Sequence, residues 1–331
     1  MKKNILITGG AGFIGSRIAF QLIELGYKVI ILDDLSSGSK KFINKKSLFI
    51  RCDLKNFKNI ENKLQKFNNK IDSIFHFAAS LSVQESSTDP LKYYNNNVIA
   101  TENILKIASK LKIKKFIFSS TCAVYGNIEK IKISEKDNTI PLSNYGKTKL
   151  LAESLVQNYS KNFKFKYAIL RYFNVVGADE RLRSGQIAGK TLFKSISNNI
   201  INNKYNIKLF GNDYDTPDGS CIRDYIDVND LSSLHILSMK RLGKNKSFIL
   251  NCGYNKGYSV IEIINIFAKI INKKIKIYNR ERRVGDVTSI YCNNKKLKSF
   301  FPKWKRKYTI EDSVLNSILW EQKLKNKKIS Y

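Results

Sequence analysis

The sequence predicts a doubly wound α/β fold, a parallel sheet with helices on both faces, followed by a smaller C-terminal α/β lobe. Three observations predict it. Short, near-continuous apolar runs alternate with longer helical stretches through the first half. The first of these runs passes straight into a glycine-rich turn. The alternation then loosens after about residue 175. Strand and helix in repetition, with apolar runs too continuous for a one-sided sheet, mean a buried parallel sheet.

Taken in order, NILIT (4–8), KVIILD (28–33), LFIRCD (48–53), SIFHFAA (73–79), KFIFSST (115–121) and KYAILRYF (166–173) read as strands. Between them, Ser16–Leu25, Asn97–Ser109 and Gly146–Tyr159 read as helices. The stretch 177–220 is rich in Gly, Arg and Asn and ends in a run of turn residues, GNDYDTPDGS (211–220). The pattern predicts a helix over 224–242, opened by capping residues, and a strand over 247–253. An amphipathic helix (Val260–Ile271), a basic loop and a terminal helix near Ile310–Leu324 follow. Without an internal repeat or a long linker, the chain reads as one compact two-lobed unit.

Bulk properties narrow the function classes. The chain has 331 residues, 43% hydrophobic and 11% aromatic, the composition of a globular protein. No apolar run approaches a membrane span. The opening MKKNILITGG is too short for a signal segment and reads as the first strand, so a cytoplasmic location is expected. Five dispersed cysteines lack zinc-ligand or redox-motif spacing, and two histidines give little support to a metal site or a Ser-His-Asp triad, so no metal is expected. The net charge of +32 comes from lysines scattered along the whole length. With no basic arm or stacking motif, it reads as compositional bias rather than a nucleic-acid footprint, although the field attracts anionic substrates.

The first strand ends in TGGAGFIG (8–15). Gly9 permits the tight turn, Gly12 lets backbone approach a pyrophosphate, and Gly15 lets the following helix pack closely. That helix directs its N-terminal amides at phosphate. Asp33 closes the second strand, where a carboxylate accepts bonds from ribose hydroxyls and repels a 2′-phosphate. Together these predict a Rossmann sheet that binds NAD rather than NADP. Asp53 and Leu54 follow the third strand, placed equally well for an adenine or for a helix cap.

Tyr145 and Lys149 are four residues apart, so on a helix they share a face. A phenol titrates near 10, and a neighbouring ammonium, with a positive nicotinamide ring, favours phenolate. Such a pair takes a proton from a sugar hydroxyl while hydride leaves the carbon. Thr121 ends the fifth strand, where α/β sheets bind ligands, and its hydroxyl suits the reacting oxygen.

With these motifs the chain resembles the extended short-chain dehydrogenase/reductase family of NAD-dependent epimerases and dehydratases, and within it the UDP-glucose 4-epimerases. The matching stretches are TGGAGFIGS (8–16), ILDDLSSG (31–38), HFAA (76–79), ESSTDPLKYYNNNV (85–98), FIFSSTCAVYG (116–126), PLSNYGKTK (141–149), LRYFNVVGAD (170–179), FGNDYDTPDGSCIRDYIDV (210–228) and RRVGD (282–286). The resemblance implies that Gly9, Gly12, Phe13 and Ile14 lie along the pyrophosphate. It implies that Asp33 and Asp34 hold the ribose, Asp53 and Leu54 flank the adenine, and Phe77, Ala78, Ala79 and Asn96 line the cofactor cleft. Tyr145 would be the acid/base, Lys149 would hold the nicotinamide ribose, Thr121 would position the sugar oxygen, and Phe173 would back the nicotinamide. Asn174, Leu192, Lys208, Leu209, Phe210, Arg223, Arg283 and Asp286 would face a UDP-sugar, with the two guanidinium forks suited to its diphosphate. Residues 1–175 and about 221–254 would form the NAD-binding domain, and about 176–220 and 255–331 the nucleotide-sugar lobe. A homodimer packed through two long helices is implied as well.

The chain departs from the family pattern at Leu81, Thr121 (for serine), Asp227 and the segment 180–194. Ile290 stands where the family's residue borders the sugar C2 substituent. A tyrosine there excludes an N-acetyl group, and isoleucine is intermediate, so UDP-glucose and UDP-galactose are the expected pair with some turnover of N-acetylated sugars. Another UDP-sugar 4-epimerase is an alternative. A 4,6-dehydratase is disfavoured because Cys122-Ala123 replaces its Asp-Glu pair, and a non-catalytic NAD- or RNA-binding protein rests on charge alone.

Overall fold

The computed structural model describes residues 4–128, 130–243, 246–283 and 285–327. In chain order its strands and helices are β1 (Asn4–Thr8), α1 (Phe13–Glu24), β2 (Lys28–Asp33), β3 (Leu48–Arg51), α2 (Phe57–Leu64), β4 (Ile71–His76), α3 (Val83–Thr88), α4 (Pro90–Tyr93), α5 (Ala100–Lys110), β5 (Lys115–Thr121), β6 (Lys132–Ile133), α6 (Asn144–Phe163), β7 (Lys166–Tyr172) and β8 (Asn174–Val176). There follow α7 (Leu192–Ile201), β9 (Asn206–Phe210), β10 (Ile222–Asp227), α8 (Val228–Leu242), β11 (Phe248–Cys252), β12 (Gly257–Ser259), α9 (Val260–Ile270), β13 (Lys276–Arg280), β14 (Ser289–Cys292), α10 (Lys295–Phe300) and α11 (Ile310–Asn326). No described helix is long and apolar enough to cross a membrane.

The chain divides into two units. The first comprises Met1–Gly126, Asn138–Tyr172 and Ser232–Leu250. Among the described residues its sheet runs β11-β7-β5-β4-β1-β2-β3, parallel from β7 through to β3. Strand order reverses between β1 and β4, and the carboxyl ends at such a switch point are where open α/β sheets bind ligands. There His76 closes β4 and hydrogen-bonds the Thr8 hydroxyl at 2.6 Å. Leu6, Ile30, Ile74, Ile104, Phe116 and Ile169 pack one face of this sheet into a core with α2, α5 and α6.

The second unit comprises Asn127–Asp137, Phe173–Leu231 and Asn251–Tyr331. Residues 127–137, 173–175, 221–231 and 251–254, read with the first lobe from sequence, cluster here. Its sheet runs β12-β10-β14-β6, with β8 on β10, and β13 pairs parallel with β9. Phe193, Ile263, Phe267 and Val314 form its core. Reciprocal capping boxes start α9 (Ser259 with Glu262) and α11 (Thr309 with Asp312).

Three readings of the sequence are corrected. Residues 224–227 are strand, not helix. Arg223–Asp227 is buried, the strand Ile222–Asp227 is laddered to β8, β12 and β14, and the Asp227 carboxylate accepts the Asn229 amide at 2.8 Å, which starts α8 only at Val228. Within the apparently loose stretch 177–220 lie α7 and β9, whose apolar positions serve the second core. The helix read from Asn97 begins with a π-helical turn, Tyr94–Ile99, before α5.

Candidate active site

The loop after β1 is built by steric necessity. Gly9 has φ +69°, and a Cβ on it would lie 2.6 Å from the Ala78 amide nitrogen. A Cβ on Gly15 would lie 2.3 Å from the Gly9 carbonyl oxygen, so α1 packs against the turn only with glycine there. Gly12 is the N-cap of α1 and offers no side-chain cap, so the amides of the Phe13–Ile14 turn can meet an anion. The Asp33 carboxylate is buried and anchored by the Ala11 and Leu35 amides, at 2.9 and 2.8 Å. Burial raises its pKa, and the two amide bonds act the other way. These features fit a dinucleotide: an uncapped helix N-terminus for the pyrophosphate, and a fixed carboxylate at the end of β2 for the ribose.

The surrounding candidates differ in exposure. Asp34 accepts the Ser36 amide and hydroxyl. Asp53 accepts the Lys55 amide at 2.9 Å, and Leu54 is buried beside it. Lys55 also donates to Asn96 at 3.3 Å, and Asn96 donates to the Ser80 hydroxyl at 2.9 Å. Phe77, Ala78 and Ala79 are half-buried after β4, with the Phe77 ring 5.2 Å from that of His235. Buried Asn97, which sequence reading missed, joins Ser80 to the Thr148 hydroxyl of α6. His76 is bonded on both nitrogens and held neutral, its pKa driven by burial to about 3.

The Ser143 hydroxyl caps α6 by accepting the Gly146 amide at 3.0 Å. Tyr145 therefore sits in the first turn, with Lys149 one turn on along the same face. Both are buried. Thr121, the last residue of β5, hydrogen-bonds the Tyr145 side chain. Burial pushes Tyr145 up to about 12, and the Thr121 bond pulls it back. Burial brings Lys149 down to about 7, opposed by the charge of Glu153. The Lys149 ammonium lies 4.4 Å from the centre of the Phe118 ring. A phenol, a hydroxyl and an ammonium kept from water can exchange a proton with a substrate hydroxyl, because phenolate and ammonium stabilise each other in low dielectric. Cys122 and Ala123 follow Thr121, and the Ala123 amide donates to its Oγ1 at 3.1 Å. Among the described residues, no group of three or more His, Cys, Asp or Glu side chains could hold a metal.

The second unit carries the remaining candidates. Phe173 is buried and Asn174 exposed at the start of β8. Leu192 packs partly against the apolar core. On β9, Lys208 is exposed, Leu209 buried and Phe210 half-buried, with the Arg283 guanidinium 4.0 Å from the Phe210 ring centre. Arg223 donates to the Ile222 carbonyl at 2.9 Å and pairs with Asp286 at 3.5 Å. Asp286 therefore steadies an arginine, a role its acidic side chain did not announce in sequence. Ile290 is buried on β14, in register with Arg223.

Comparison with known proteins gives a consistent answer. The family model "NAD dependent epimerase/dehydratase family" matches residues 5–253. A UDP-glucose 4-epimerase of Azospirillum brasilense is 34% identical, over 97% of this chain and 92% of its own. UDP-arabinose 4-epimerase 1 of Arabidopsis thaliana is 35% identical, over 98% and 80%. The crystal structure of a Bifidobacterium longum UDP-glucose 4-epimerase in complex with NAD+ and UDP superposes with a TM-score of 0.91 at 32% identity, covering 98% of this chain and 99% of that one. On the strength of a match that takes in the glycine loop, Thr121, Tyr145 and Lys149, the chain belongs to the NAD dependent epimerase/dehydratase family.

Proposed function

We propose that the protein interconverts UDP-glucose and UDP-galactose by NAD-dependent 4-epimerisation. The observation that carries this reading is the buried set of Thr121, Tyr145 and Lys149, followed by a cysteine and an alanine that supply no acid or base for dehydration. The glycine loop and Asp33 would hold NAD, which when bound would take up and return the C4 hydride. Tyr145 takes the O4 proton as the 4-keto sugar forms and returns it as the epimer forms. Thr121 orients O4 through the hydroxyl that also hydrogen-bonds the Tyr145 side chain. Lys149 holds the nicotinamide ribose and stabilises the phenolate. On the second unit, Arg223 and Arg283 bind the diphosphate.

Purified protein given UDP-galactose without added NAD should form UDP-glucose, followed by proton NMR. Tyr145→Phe should lose at least about a thousandfold of that rate while keeping NAD bound, in line with the loss of a general acid/base. A Tyr145→Phe variant of near-normal rate would sink the assignment. The likeness to UDP-arabinose 4-epimerase 1 favours a second reading, a UDP-pentose substrate. Coupled assays rank the substrates. Faster turnover of UDP-arabinose, or of the N-acetylated pair that Ile290 could admit, would replace UDP-hexose as the main substrate.

The reading extends to a cytoplasmic homodimer. Five free thiols suit a reducing compartment. Leu91, Ile99 and Leu151 leave apolar surface open along the helical face of the first unit, at 74, 42 and 45% exposure.

A further inference from the structure

Glu153 lies one turn beyond Lys149 on α6, so Tyr145, Lys149 and Glu153 share one buried face. Its carboxylate is sealed from solvent and held by the Arg171 guanidinium of β7 in two bonds, at 2.9 and 2.7 Å. The Ser120 hydroxyl, adjacent to Thr121, donates to the same carboxylate. The Tyr125 ring covers Arg171, 4.8 Å from the guanidinium carbon. A buried ion pair is rarely more stable than an apolar pair of its size, so packing alone explains its presence poorly.

Its position explains it better. We propose that Glu153, locked by Arg171 and Ser120, is a positioning residue that keeps Lys149 in its charged form and in place beside Tyr145. Among the described residues, the titratable and aromatic groups around Lys149 are these. On its own helix are Tyr145 and Glu153. From β4 comes His76, which is neutral, and from β5 the Phe118 ring. Arg171 of β7 is spent on the carboxylate, and Cys122 lies on the Tyr145 side. Burial works against the ammonium, and Glu153 supplies the opposing charge. A lysine that lost its proton would no longer stabilise a phenolate. The pair would thus set the alkaline limit of turnover. This rests on the reading that Lys149 supports Tyr145.

The test uses holoenzyme carrying Glu153→Gln, and the double variant Glu153→Gln/Arg171→Met, which buries no unpaired guanidinium. Two readouts apply: the pH dependence of kcat, and the protonation of Lys149 by competitive acetylation and mass spectrometry. In Glu153→Gln the alkaline limb, and with it the pH at which half of Lys149 becomes reactive to acetylation, should move down by about one pH unit, as for the loss of one nearby charge, while the double variant, which removes one charge of each sign, should move both less. KM should change less than kcat. A folded Glu153→Gln variant with wild-type limb and labelling overturns the proposal. So does a double variant that cannot fold, since the pair would then be structural. Lys149→Met separates the two claims: wild-type turnover there would instead overturn the role of Lys149 itself.

Discussion

At the scale of single residues, burial does most of the chemistry. It raises Tyr145 and lowers Lys149, disfavouring the charged form of each. The spacing of this pair was plain in the sequence. Glu153 was not, because an acidic residue four positions further along a helix ordinarily faces water, and only Arg171 in the next strand brings it inside. His76 shows the same effect in a structural role. Its folded pKa of about 3 lies below the ordinary imidazole value of 6.5. Stability it contributes is fully present above about pH 6.5 and is lost as pH falls toward 3, at up to about 1.4 kcal/mol per pH unit. Urea melts across that window should show a slope that His76→Gln flattens by one proton; equal slopes would refute this.

At the scale of elements, turn geometry decides more than propensity. The tight turn between β1 and α1 was legible because three glycines at fixed spacing have few other uses. Gly15→Ala should push α1 off the turn, lower stability by about 1–3 kcal/mol as overpacking does, and release NAD. Cofactor content after purification and thermal melting check both effects, and a variant that keeps full NAD would contradict the packing argument. The β10–α8 junction was illegible for an opposite reason. DYIDVNDL reads as capping residues before a helix, yet Asp224 turns its carboxylate to the amides of Tyr254, Asn255 and Cys292, contacts that only the folded second unit supplies. Likewise α7 and β9 are short apolar runs within a stretch rich in Gly, Arg and Asn, and their place emerges only where they meet the second core.

At the scale of the whole molecule, charge and surface point to different things. The net charge of +32 reflects lysines spread along the chain, and the fold and family account for none of it beyond an attraction for anionic substrates. The apolar surface at Leu91 and Leu151 is local. Leu91→Glu with Leu151→Glu should convert a dimer into a monomer by light scattering while NAD stays bound; a monomeric wild type would refute the dimer. On the proposed mechanism hydride leaves C4 and returns to the same carbon, with Tyr145 carrying the proton. UDP-galactose deuterated at C4, turned over in ordinary water, tests it most directly. Turnover should give UDP-glucose that keeps essentially all its deuterium at C4, and washout to solvent would refute the return of the same hydride.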